Sequence, residues 1–153
     1  MHETICIISG STLGSAEYLA EHCDDVLQQQ GFKTALFHGP DWQQVKDYQR
    51  WLVVTSTHGA GDLPDNLYPL FDQLEAEADQ LSGLSFAVIG LGNSDYDTFC
   101  FSVDKIEKML TQKQALQLCD GLKIDVLNCL DHDQAADGWL PQFIEQLKKV
   151  TGK

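Results

Sequence analysis

Positive charge is what this chain of 153 residues has least of: 10 Lys and Arg stand against 23 Asp and Glu, a formal net charge of −13. So negative a surface repels phosphate backbones and anionic headgroups, which excludes nucleic acid and membrane surfaces as partners. It favours a protein partner with a basic face, steered in by charge, and it also keeps the chain in solution. Long apolar runs are missing too; none approaches the roughly 18 residues that span a bilayer. The start, Met1-His2-Glu3-Thr4, has neither the basic segment nor the apolar stretch of an export signal, so a cytoplasmic location is expected. The five cysteines, Cys6, Cys23, Cys100, Cys119 and Cys129, are odd in number and form no C-x-x-C pair. That argues against a disulfide framework or a zinc site. Cys6, in an apolar run, and Cys23, on a helical stripe, read as small buried hydrophobes.

What is present is an alternation of short apolar runs with helical periodicity. Ala16, Leu19, Ala20, Cys23, Val26 and Leu27 form one helical stripe, closed by Gly31. Leu67, Leu70, Phe71 and Leu74 form a second; Val103, Ile106, Met109 and Leu110 a third; Leu140, Phe143, Ile144 and Leu147 a fourth. Segment 41–50, with Trp42 and Val45, reads as a short helix or a loop. Strands alternating with helices imply a parallel sheet. Runs 5–8, 51–54 and 86–89 are apolar throughout, as strands covered on both faces should be. Lys33-Thr34-Ala35-Leu36-Phe37-His38 and Lys123-Ile124-Asp125-Val126-Leu127 carry polar interruptions and read as edges. The expected fold is α/β: a doubly wound, five-stranded parallel sheet of order 2-1-3-4-5 with helices on both faces. At this length residues 1–153 are expected to form one domain, read as a monomer, and no internal repeat, linker or low-complexity segment interrupts them.

The chemistry concentrates in three loops, each following one of the apolar runs. The first is Ser9-Gly10-Ser11-Thr12-Leu13-Gly14-Ser15, the second Thr55-Ser56-Thr57-His58-Gly59-Ala60-Gly61-Asp62, the third Gly90-Leu91-Gly92-Asn93-Ser94-Asp95-Tyr96. Loops at the carboxyl ends of buried parallel strands are where open α/β sheets bind ligands. The first is rich in hydroxyls, its glycines permit a tight turn, and it opens a helix whose N-terminus attracts anions. No Lys or Arg occurs before Lys33. A phosphate held there by neutral donors suits a small phosphomonoester better than a triphosphate under transfer. Read alone, Ser15 equally serves as a helix cap with no ligand. Other nucleotide and nucleophile motifs fail. The first loop is too short for G-x-x-x-x-G-K-[ST] and places its serine wrongly for G-x-S-x-G, while Gly90-Leu91-Gly92 lacks a third glycine. The second and third loops bring His58, Tyr96 and Phe99, rings that can stack on a flat cofactor.

Ser9 to Glu17, Ser56 to Asp62 and Gly90 to Tyr96 resemble the FMN loops of flavodoxins and of diflavin-reductase FMN domains. Asp97-Thr98-Phe99-Cys100 and Asp131-His132-Asp133 bring the resemblance nearest to MioC-type short-chain bacterial flavodoxins. It covers nearly the whole chain, and the last strand, interrupted only at Asp120-Gly121-Leu122, fits the short-chain type. The resemblance implies non-covalent FMN. Ser11, Thr12, Gly14 and Ser15 match its phosphate loop, with Ser9 and Leu13 alongside. His58 and Tyr96 match the two residues flanking the ring, and Gly59 the residue whose peptide faces the flavin N5. Thr57, Ala60, Gly61, Asp62, Leu91, Gly92, Asn93, Phe99 and Cys100 complete the expected contacts. Two departures from the pattern stand out: Leu13 and Ala16 lie where many flavodoxins carry hydroxyls, and His58 replaces a larger ring. The resemblance further implies an electron carrier rather than an enzyme, working between an NAD(P)H-dependent flavodoxin reductase and an acceptor enzyme such as biotin synthase. The acidic rim of Asp62, Asp65, Asp95 and Asp97 would be its docking face.

Readings of other classes remain open at this point: a flavin-dependent reductase with its own small substrate, or a non-enzymatic interaction module with a weakened pocket. A phosphoacceptor domain shares the strand order but needs carboxylates where this chain has Ser9-Gly10 and Thr55-Ser56. Asp131-His132-Asp133 is not expected to bind metal, since adjacent residues on an extended segment face opposite ways. It reads as a loop ahead of the last helix, with Asp133 as the cap.

Overall fold

Side-chain alternation along three strands builds the architecture. In the computed structural model, which describes residues 4–10, 15–56, 67–77, 81, 83–92, 101–125 and 131–150, β1 (Ile5–Gly10), β3 (Arg50–Ser56) and β4 (Ser85–Gly92) are buried along almost their whole length. Successive side chains of a strand point to opposite faces. Cys6, Ile8, Trp51, Val53, Phe86 and Val88 therefore enter one core layer, and Ile5, Ile7, Leu52, Val54, Ala87 and Ile89 the other. The first layer is closed by α2 (Trp42–Val45), α3 (Tyr68–Glu77) and α4 (Phe101–Gln112), the second by α1 (Ser15–Gln29) and α5 (His132–Val150). All four helical stripes read from the sequence face these layers, with Val26, Met109 and Ile144 at their partly buried margins.

Every strand pair is parallel, and the order is β2-β1-β3-β4, with β2 (Thr34–His38) at one edge. The other edge completes the expected order 2-1-3-4-5, with the expected interruption near Asp120-Gly121, but the strand is split and its bounds differ. Two short segments, β5 (Leu116–Gln117) and β6 (Leu122–Asp125), pair in tandem with β4. The expected strand over 123–127 is thus observed as 122–125, with Val126 and Leu127 outside the described residues. The segment at 116–117 escapes sequence reading because it has two residues and Leu116 is exposed, so no alternation is left to detect. Segment 41–50 yields the short helix α2, held by a capping box between Asp41 and Gln44 at 3.1 Å each way. The cap of α5 is Asp131 rather than Asp133: its Oδ1 accepts the Gln134 N–H at 3.0 Å. His132 and Asp133 already lie in the first turn of the helix. On the α1–α5 face, the His22 imidazole bonds the Asp137 carboxylate at 2.7 Å.

Glu107 spans the break in the last strand. Its Oε2 accepts from Gln117 Nε2 at 2.8 Å, at the end of β5, and its carboxylate also accepts the N–H of Gly121, just ahead of β6. A Cβ on Gly121 would come within 2.7 Å of that oxygen and 3.0 Å of the Val88 carbonyl, so glycine is required where the strand resumes. Burial, then the Asp104 carboxylate, push the Glu107 carboxyl above its ordinary value; the Gly121 N–H and Lys123 pull it back, and Asp120 adds to the rise. A carboxyl raised in the folded state holds its proton more tightly there than in the unfolded chain. Its contribution to stability therefore falls as pH rises through and just above the ordinary value of 4.5. Glu107→Gln keeps an acceptor in the gap and removes the charge. Denaturation at a series of pH values is expected to show the Gln variant gaining on wild type as pH rises through that window; a stability difference flat with pH would contradict this.

Candidate functional site

In the β2-β1-β3 order the chain leaves β1 in opposite directions on its two sides, which makes the β1/β3 crevice the switch point where open α/β sheets take ligands. Registration aligns the carboxyl ends there. Gly10 sits opposite Thr55, Thr55 opposite Gly90, and Ser56 opposite Leu91. Neighbouring strands run about 4.8 Å apart, so three loops leave the sheet within about 10 Å of one another. α1 begins at Ser15, directly after the first loop. Its positive dipole end thus stands at the same edge.

The base of the first loop is closely packed. Ser9 is fully buried, and its hydroxyl bonds the His38 imidazole at Nδ1 rather than standing free. The Ser9 carbonyl accepts the Gly39 N–H at 2.8 Å. A Cβ on Gly10 would lie 2.3 Å from Leu67 Cγ, so the buried Leu67, just ahead of α3, occupies the space any side chain would need. Next to it, Thr55 Oγ1 donates to the Ser56 carbonyl at 2.9 Å. Leu91 and Gly92 end β4 as buried residues. Ala16 is fully buried in the layer under α1, so this departure from a hydroxyl serves packing.

Of the residues expected to hold a cofactor, Ser9, Ser15, Leu91 and Gly92 are in the described structure, and it brings them to one sheet edge. Ser11, Thr12, Leu13, Gly14, Thr57, His58, Gly59, Ala60, Gly61, Asp62, Asn93, Tyr96, Phe99 and Cys100 lie outside the described residues. His38 and Leu67 were not singled out from sequence as site residues. His38 looks like an ordinary edge-strand end until β2 is registered against β1, and Leu67 like one more member of a helical stripe.

The frame fits a small phosphate group: a glycine at the strand end pressed from behind by Leu67 and a helix N-terminus at the same edge. Burial pushes the Cys6 and Cys23 thiols up to about 12, with Asp133, Asp137 and Asp24 adding to the effect at Cys23. Cys119 is raised to about 11 by burial, then by Asp120 and Glu107. All three stay protonated and unreactive at neutral pH. Among the described residues no group of three or more His, Cys, Asp or Glu is placed to hold a metal ion, and no helix is long and apolar enough to cross a membrane. Some cavities of the described structure lie at the opposite, amino-terminal edge. One of about 160 Å³ is lined by Trp42, Lys46, Tyr48, Trp51 and Leu84 among others. The Trp51 indole N–H is buried without a partner.

Comparison with known proteins agrees with this geometry. The flavodoxin family model matches residues 7–139. A MioC homolog of Haemophilus influenzae is 60% identical over 144 residues, covering 94% of this chain and 99% of the relative. Protein MioC of Escherichia coli is 46% identical over 147 residues, covering 94% and 98%. A cysteine-to-alanine mutant of a Pseudomonas aeruginosa flavodoxin superimposes with a TM-score of 0.88 at 32% identity, over 95% of this chain and 99% of that one. With the family model matched across most of its length and its sheet order reproduced, the chain belongs to the flavodoxin family.

Proposed function

We propose that residues 1–153 act as one FMN-binding domain that carries single electrons from an NAD(P)H-dependent reductase to an acceptor enzyme in the cytoplasm. The observation that carries this reading is the alignment of Gly10, Thr55 and Gly90 at the β1/β3 switch point, beside the N-terminus of α1. Membership of the flavodoxin family supports it. Bound FMN would supply the one-electron chemistry.

The chain's own residues bind and tune. Ser11, Thr12, Gly14 and Ser15, with the first N–H groups of α1, hold the phosphate without a cation. His58 and Tyr96 would hold the ring, Tyr96 by aromatic stacking worth about 0.5–1.5 kcal/mol beyond area burial, and Gly59 would offer it a backbone peptide. Thr57, Ala60, Gly61, Leu91, Gly92, Asn93, Phe99 and Cys100 fill the rest of the contact. Asp62, Asp65, Asp95 and Asp97 form a negative rim that disfavours added negative charge on the ring, and each 59 mV by which they lower a one-electron potential corresponds to about 1.36 kcal/mol. The same rim steers a basic-faced reductase to the exposed edge; biotin synthase is the acceptor that the sequence resemblance suggests.

Titration of the purified protein with FMN in a calorimeter is expected to give one site per chain. The loaded protein should take up electrons reversibly in a stepwise anaerobic reduction followed by absorbance. No heat and no change in the flavin spectrum would overturn the reading. Reduction by a basic-faced flavodoxin reductase is expected to slow as salt rises, because at 0.1 M the Debye length shrinks to about 10 Å. Stopped-flow rates independent of ionic strength would remove the rim from the docking account.

A further inference from the structure

We propose that His38 is a positioning residue for the phosphate-binding loop. The inference rests on the FMN reading above and concerns a side chain outside the loops themselves. Ser9 and Gly10 end β1, and α1, whose N-terminus would face the phosphate, begins at Ser15. β2 grips Ser9 twice. Its carbonyl accepts the Gly39 N–H at 2.8 Å, and its fully buried hydroxyl bonds His38 Nδ1. The other ring nitrogen of His38, Nε2, stands 3.9 Å from Glu21 Oε2 on α1. One imidazole thus bonds the carboxyl end of β1 from the edge strand and approaches α1. On the opposite side Leu67 closes against Gly10.

Charge makes this bracing matter. No Lys or Arg precedes Lys33, and Lys33 lies at the far end of β2, where its carbonyl accepts the Ile5 N–H at 2.9 Å. β1, the first loop and α1 thus supply no cation of their own, and neutral hydrogen-bond donors there would carry anion binding. Such bonds weaken steeply with misalignment, and a loop that must be ordered on binding loses affinity. Bracing the loop base recovers what a cation supplies in other phosphate sites. The effect should fall on the phosphate and not on the ring, which separates it from a general loss of structure.

The test compares dissociation constants for FMN and for riboflavin, which lacks the phosphate, by quenching of flavin fluorescence. Wild type, His38→Ala and His38→Asn are measured, with thermal melting as the check on folding. His38→Ala should weaken FMN about fivefold to tenfold, the loss of one buried hydrogen bond, and leave riboflavin within about twofold. Asn, which offers an amide near the position of Nδ1, should restore most of the FMN affinity. Ser9→Ala should give the same selective loss, and Ser9→Ala with His38→Ala should lose no more than either alone. An Ala variant that binds FMN as wild type does, or one that loses FMN and riboflavin equally, would overturn the assignment while leaving the FMN reading intact. A wild type that binds neither ligand would overturn both.

Discussion

The structure depends on three parallel strands being held in register while sealed on both faces. β1, β3 and β4 expose almost nothing along their length, and a slip of one residue in any of them would carry its side chains into the wrong layer. Trp51, Phe86 and Ile8 would then have to enter the layer under α1 and α5, where Leu19, Leu27, Trp139 and Phe143 already fill the space. Packing therefore enforces the register, and the register sets where the strands end. The alignment of Gly10, Thr55 and Gly90 at one edge follows from core volume before any ligand is considered.

The same packing separates inert chemistry from exposed chemistry. Cys6 and Cys23 are buried and stay protonated. Trp139 donates its indole N–H to the Asp120 carbonyl at 2.9 Å and stacks on Phe143 with the ring centroids 5.4 Å apart, bracing α5 against the break in the last strand. Glu107 braces the same break from α4. Cys6, Cys23, Trp139 and Glu107 are thus engaged in holding the frame.

Much of the frame was legible in the sequence because its signals are periodic. Uniformly apolar runs marked β1, β3 and β4 as interior strands, polar interruptions marked β2 as an edge, and the four helical stripes all face the core. The failures have local causes. β5 is too short and too exposed to carry alternation. Asp131 and Asp133 are equally good caps by composition, and only the path of the chain chooses Asp131. For the candidate site, glycine and hydroxyl content drew attention to the ends of β1, β3 and β4. The contacts supporting them did not show, because they are made across the fold. Ser9 meets His38 through strand pairing, and Gly10 meets Leu67 through the approach of α3. Neither pair has a sequence spacing from which it could be read.

The central claim is that the β1/β3 edge takes FMN with its phosphate at the start of α1. Amide hydrogen exchange of the chain with and without FMN tests it most directly. Protection should rise at residues 9–16, 55–62 and 90–99 and stay unchanged at the amino-terminal edge around Trp42, Tyr48 and Leu84. Protection appearing around Trp42 and Leu84, with the three loops unaffected, would place the ligand at the wrong end of the sheet and contradict the account.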